Sequence, residues 1–219
     1  MRETCPRCRR PVAFCVCAAL PRLASRTRVV LLQHPREARL AICSAWLCHA
    51  ALPGSLLVRG IRFEDDPVVR PILEAPGTHL LFPGEGSVPA AALAAAPPAT
   101  LVVVDGTWPQ AAKMLRVNPR LAALPRVGIS GAAPSGYAGL RAEPEEGHLA
   151  TIDAVAEALG ALEGDPARFQ PMRAAFRLAV EKQLACARGD RRAPRHRPEW
   201  TPPGGGPAGE AGGGGDGQP

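Results

Sequence analysis

Residues 100–104, Thr-Leu-Val-Val-Val, constrain the fold more than any other stretch of this chain. An uncharged, β-branched run without polar alternation describes a strand buried on both faces, the situation of a parallel strand covered by helices. The run leads straight into Asp105-Gly106-Thr107-Trp108, and Pro109 suits the first turn of a helix continuing to about Val117. The same order recurs along the chain. Residues 28–33 predict a buried strand and residues 37–52 a helix closed by Pro53-Gly54. Residues 55–60 and 78–82 predict two more strands, and residues 89–96 an Ala-rich helix. Residues 125–130 predict a further strand and 131–148 a loop. Thr151 is a candidate N-cap for a helix through Leu162, and Asp165 for a last helix from Pro166 to about Ala187. Strands alternating with helices predict an α/β fold, a mostly parallel sheet flanked by helices.

The 219 residues are enough for one such domain but hardly for two, because residues 188–219 hold almost no apolar content. That tail, basic and then Gly/Pro-rich, cannot offset its ordering entropy and is expected to be disordered. Net charge is +6, with Lys113 and Lys182 the only lysines, so the surface is arginine-rich and favours polyanions. No apolar run approaches the ~20 residues of a membrane span, and no apolar region follows Met1-Arg2-Glu3 as a secretory signal requires. A cytoplasmic protein without a membrane partner is expected, and seven cysteines there are not a disulfide framework.

Four of those cysteines are compact. Cys5-x-x-Cys8 and Cys15-x-Cys17 fall within thirteen residues, close enough for four thiolates to surround one tetrahedral metal ion. Soft sulfur donors favour zinc, or less often an iron–sulfur cluster; four free thiols or a redox pair are the alternatives. With four protein ligands the ion is structural. Arg7, Arg9 and Arg10 would offset the thiolate charge and present cations suited to RNA phosphates. Residues 1–22 are therefore expected to form a zinc module, residues 23–187 the α/β domain and residues 188–219 the tail. Cys43, Cys48 and Cys186, in predicted helices, are expected to be buried inert thiols.

In open α/β sheets ligands bind beyond the carboxyl ends of the strands, where Asp105-Gly106-Thr107-Trp108 is expected to lie. Asp105 offers a carboxylate, Thr107 a hydroxyl, Trp108 a stacking face, and Gly106 room for the backbone to approach a ligand. The following helix N-terminus adds amide donors. A capped turn with a core tryptophan is the non-functional alternative.

Asp105-Gly106-Thr107-Trp108 with Gln110-Ala111 and Lys113-Met114 resembles the signature of the DTW-domain family. Other pieces match in the same order: the four cysteines, His34-Pro35-x-Glu37, Leu81-Phe82-Pro83-Gly84-Glu85, Ser135-x-Tyr137-x-x-Leu140-Arg141, and Thr151-Ile152-Asp153-Ala154. Together they span residues 5–180. The chain departs from the family pattern at Ile42-Cys43-Ser44, where many members carry Asn-Thr-Gly. It departs also at Gly84, where Ser is common, and at Asp153, where Glu is usual.

The resemblance implies a SPOUT-like fold with a knotted cofactor site. It implies tRNA-uridine aminocarboxypropyltransferase activity, in which S-adenosylmethionine donates its 3-amino-3-carboxypropyl group to uridine N3 and methylthioadenosine leaves. Asp105 is the expected catalytic carboxylate, as general base or by orienting the cofactor amine. Pro83, Glu85, Gly106, Thr107, Trp108, Ser135, Tyr137, Arg141, Thr151 and Asp153 are the expected cofactor-binding residues. Two other functions share parts of the pattern: an S-adenosylmethionine-dependent RNA methyltransferase, and a non-catalytic zinc-knuckle RNA-binding protein.

Overall fold

The computed structural model describes residues 3–8, 10–130 and 149–189. Its centre is a parallel sheet of six strands: β1 (Arg28–Gln33), β2 (Leu56–Arg59), β3 (Thr78–Leu81), β4 (Val88–Pro89), β5 (Thr100–Asp105) and β6 (Arg126–Gly128). The strands lie in the order β2-β1-β5-β3-β6-β4, and every pairing is parallel. The α/β class and the parallel sheet expected from the sequence are both present.

Helices cover both faces: α1 (Ser44–Ala51), α2 (Arg70–Glu74), α3 (Trp108–Arg116), α4 (Pro119–Ala122), α5 (Thr151–Glu163) and α6 (Gln170–Gly189). Alternation along each strand divides the core in two. Val29, Leu31, Leu101 and Val103 pack against α1, α5 and α6. Their neighbours Val30, Leu32 and Val102 pack on the other face with Phe63, Leu73, Met114 and Leu121. This is why residues 100–104 carry no polar alternation: both faces of β5 are under helices.

Several local expectations are corrected. The helix expected over residues 37–52 is a 3-10 turn, Glu37–Arg39, and then α1 from Ser44. Leu40 and Cys43 between them are extended, and the Cys43 thiol accepts from the Trp46 N–H as the cap of α1. Residues 89–96 hold no α-helix. Val88–Pro89 is one of the sheet's two edge strands and Ala90–Leu93 a 3-10 turn, because Pro97-Pro98 denies a longer helix both donors and backbone room. Thr151 is not the cap of α5: Ala150 is, and the threonine hydroxyl serves the site described below. The last helix begins at Gln170, and Asp165 instead caps the preceding turn through the Arg168 N–H.

The cysteine segment docks on the α1/α5/α6 side. Val16 and Leu20 enter that core, Lys182 of α6 donates to the Cys15 carbonyl at 2.9 Å, and Arg7 donates to the Ala50 carbonyl at 3.0 Å. No helix among the described residues is long and apolar enough to cross a membrane. The predicted loop 131–148 and the tail from residue 190 onward lie outside the described residues.

Candidate active site and metal centre

Strand order and connectivity locate the site. From β1 the chain leaves toward β2 on one side, and from β5 it leaves through α3 and α4 toward β6 on the other. The carboxyl ends of the neighbouring strands β1 and β5 therefore flank a topological switch point, where open α/β sheets bind ligands. Register puts Gln33, the last residue of β1, directly beside Asp105, the last of β5, and Arg59 of β2 on the far side of Gln33.

Asp105 is buried, and both carboxylate oxygens accept hydrogen bonds. Oδ2 accepts from Gln33 Nε2 at 2.8 Å and Oδ1 from Thr151 Oγ1 at 2.5 Å. Arg59 Nε, at 3.3 Å, donates to Gln33 Oε1. Since the guanidinium can only donate, it fixes the amide with its nitrogen toward Asp105 and toward the Cys43 sulfur, 2.9 Å away. The Asp105 carbonyl accepts from the His34 N–H at 2.8 Å, so the end of β1 is tied to the motif through backbone as well. His34 is buried, and desolvation, with Arg36 and Lys113 nearby, holds its imidazole below the ordinary value. Burial pushes the Cys43 thiol up.

Beyond Asp105 the chain turns into α3. Thr107 caps that helix, and Gln110 Oε1 accepts from the Thr107 N–H at 2.8 Å. A Cβ on Gly106 would sit 3.1 Å from Gln110 Cβ, which explains a glycine where strand and helix meet so closely. Trp108 is 42% exposed and meets Phe82 edge to face, with ring centroids 5.5 Å apart. Arg126 lies over Phe82 and donates to the Pro83 carbonyl at 3.3 Å. Gly84 has a φ of 136°, a backbone conformation in which any side chain, the family's common serine included, is strained, and a Cβ there would also displace the Arg126 guanidinium.

A cleft of about 370 Å³ opens at the carboxyl ends of β3, β5 and β6, lined among others by Phe82, Pro83, Val104, Gly106, Trp108 and Thr151. Its size is that of a small-molecule site, with apolar walls and a few polar groups. Of the expected site residues, Pro83, Gly106, Trp108 and Thr151 line it, and Thr151 reaches Asp105 directly. Thr107 and Glu85 are exposed beside it, outside the lining. Asp153 is buried in the first turn of α5, two residues beyond Thr151, with Oδ1 3.1 Å from Arg173 Nε. Ser135, Tyr137 and Arg141 lie outside the described residues.

Two contributors are not singled out by the sequence. Gln33 carries a usable signal, a lone amide closing an otherwise apolar strand; Phe82 stands out only as part of its loop.

The sulfurs of Cys5, Cys8, Cys15 and Cys17 all lie within 4.8 Å of one another. Cys5 and Cys17 are 3.9 Å apart, and Cys8 and Cys15 3.8 Å. A tetrahedral ion with metal–sulfur bonds of about 2.3 Å needs sulfur–sulfur edges of about 3.8 Å, so the donor set fits a metal ion. Hydrogen bonding from the Cys8 N–H, and then from the Cys15 side chain, pulls the Cys5 thiol down to about 6. Burial pushes the Cys8 and Cys17 thiols up. A bound cation would remove that penalty by holding all four as thiolates.

A parallel α/β sheet with a carboxylate at its switch point, an aromatic-rimmed cleft and a metal-competent cysteine cluster defines the class: an α/β domain with a candidate ligand cleft and a cysteine cluster able to hold a metal ion. The sequence pattern of the DTW domain matches residues 2–184, and the chain belongs to that family. It is 38% identical over 173 residues to tRNA-uridine aminocarboxypropyltransferase 2 of Drosophila melanogaster, covering 75% of this chain and 68% of the relative. It is 30% identical over 195 residues to tRNA-uridine aminocarboxypropyltransferase A of Arabidopsis thaliana, covering 75% and 74%. With the Macaca fascicularis protein named tRNA-uridine aminocarboxypropyltransferase 2 it shares 32% identity, over 57% of that relative's length. No solved structure matches the chain at a significant level.

Proposed function

We propose that this protein is a cytoplasmic tRNA-uridine aminocarboxypropyltransferase that uses S-adenosylmethionine and a structural zinc ion. The observation that carries the reading is Asp105 at the switch point of the sheet, hydrogen-bonded by Gln33 and Thr151, with an apolar cleft beside it. Relatives named for that activity in fly and plant support it.

S-adenosylmethionine supplies a sulfonium-activated methylene carbon. Uridine N3, relieved of its proton, forms the new C–N bond there; the C–S bond breaks, its electron pair stays on sulfur, and methylthioadenosine leaves. The protein's task is chiefly positioning, since the methyl carbon on the same sulfur must be avoided. The apolar walls at Pro83 and Val104 exclude water, and Gly106 lets a ligand approach the backbone. Trp108, exposed on the rim, offers a stacking face for adenine or uracil. Asp105, aimed by Gln33 and Thr151, orients the donor's ammonium or takes the imide proton. Glu85, Thr107, Ser135, Tyr137, Arg141 and Asp153 complete the proposed cofactor contacts, in a SPOUT-like site with a knotted connection. The four cysteines hold zinc within residues 1–22, the catalytic domain occupies residues 23–187, and residues 188–219 form a tail.

The test is to incubate the protein with S-adenosylmethionine and unmodified tRNA, digest, and weigh the nucleosides. Aminocarboxypropyluridine with an equal amount of methylthioadenosine is expected. Methyluridine with S-adenosylhomocysteine would overturn the chemistry, and tRNA binding without either product would overturn catalysis.

A further inference from the structure

A second cleft, of about 430 Å³, lies where the cysteine segment meets the sheet. Arg7 and Arg10 approach it from the segment, Arg59 from the carboxyl end of β2, and Trp46 from α1. No carboxylate lines it. Four other arginines are matched with acids: Arg70 with Glu74, Arg120 with Glu64 and Glu74, Arg168 with Glu163, Arg173 with Asp153. Among the described residues Arg7, Arg10 and Arg59 have no such ion pair, although all three are held in place. Arg7 is anchored on the Ala50 carbonyl, Arg10 lies 5.9 Å from the Trp46 ring centroid, and Arg59 is anchored on Gln33. Each anchor uses only part of a guanidinium's five donors, leaving the remainder for an anion.

Position gives the cleft its meaning. Arg59, Gln33 and Asp105 form one row across three adjacent strands. At the usual strand spacing Arg59 lies two strands, or about 10 Å, from Asp105 along the same edge of the sheet. A polyanion whose reacting base sits at Asp105 would carry its neighbouring phosphates past this cleft.

We propose that the cleft binds the phosphodiester backbone of the RNA substrate next to the target nucleotide, with Arg7, Arg10 and Arg59 as its phosphate donors. The proposal rests on the RNA-modifying function proposed above. Neutralisation of the four thiolates is the competing purpose for Arg7 and Arg10, but Arg59 stands on a sheet strand, outside the cysteine segment.

The experiment measures tRNA binding directly, without turnover, in stepped KCl. Removing one phosphate-neutralising cation makes the slope of log affinity against log salt shallower by about 0.7–0.9. Arg59→Ala is expected to show that change at unaltered metal content, and the Arg7→Ala/Arg10→Ala/Arg59→Ala triple variant a change of about 2–3. Arg59→Lys, which keeps the charge, is expected to keep the slope. Arg70→Ala, at an ion-paired site, is the control for net charge. Wild-type slope and affinity in the triple variant would overturn the cleft as a phosphate site while leaving the enzyme function intact. A wild-type protein that does not bind tRNA would overturn both.

Discussion

Gln33 and Asp105, 72 residues apart in sequence, are register partners at the ends of adjacent parallel strands, and the amide of one donates to the carboxylate of the other at 2.8 Å. Arg59 sets the amide's orientation, so the carboxylate is aimed by the two side chains beside it in its row, with Thr151 from α5, rather than by its own loop.

Removing the carboxylate is therefore distinct from releasing it. Asp105→Ala is expected to lower kcat by at least about 100-fold, as loss of a charge-bearing catalytic group does, with tRNA affinity nearly intact. Gln33→Leu removes one charge-assisted hydrogen bond, worth about 1.5–3 kcal/mol, and is expected to cost roughly 10- to 100-fold in kcat. Single-turnover kinetics alongside tRNA binding checks both. Near-normal turnover by Asp105→Ala would remove that residue from the reaction.

The cysteine cluster predicts about one equivalent of zinc per chain when purified without chelator. Cobalt substitution is expected to give the absorption of a tetrahedral thiolate site. Cys8→Ser is expected to lower both metal content and Tm, because Val16 and Leu20 lie in the core beside the cluster. Metal content below half an equivalent in wild-type protein would count against the site.

Asp153 and Arg173 separate a structural role from a cofactor role. Both are buried, and cutting one partner of a buried pair costs about 3–5 kcal/mol. Asp153→Ala is expected to lose stability on that scale in denaturant unfolding, and Asp153→Leu/Arg173→Met to recover much of it. The cofactor contact proposed for Asp153 further predicts weaker S-adenosylmethionine binding by the folded Asp153→Ala protein; unchanged affinity would leave the carboxylate a purely structural role.

His49 predicts an acid-sensitive fold. Burial lowers its folded value below the ordinary 6.5, and Nδ1 sits 2.8 Å from Ser55 Oγ. A histidine kept neutral by folding binds its proton more readily when unfolded, so its contribution is complete above 6.5 and is lost as pH falls through the lowered folded value. Urea unfolding between about pH 7.5 and 5 should show stability falling with acidification, and His49→Gln should flatten that fall. An identical pH slope in the variant would exclude His49 as the source.

Sequence alone carried the α/β class, the positions of β1, β2, β3, β5 and β6, the four-cysteine cluster and the strand-end location of Asp105. These follow from short-range rules: apolar runs, turn residues and ligand spacing act within a few positions along the chain. The same rules failed at residues 37–43 and 89–96, where composition favoured helix but the cap at Cys43 and the Pro97-Pro98 stop decided otherwise. Only the tertiary structure set Gln33 and Arg59 in line with Asp105 and turned the Thr151 hydroxyl into the site instead of onto its own helix. The physical reason is that parallel pairing joins strands through long crossovers. Which side chains stand abreast is chosen by packing both faces of the sheet, and no spacing within a single segment records that choice.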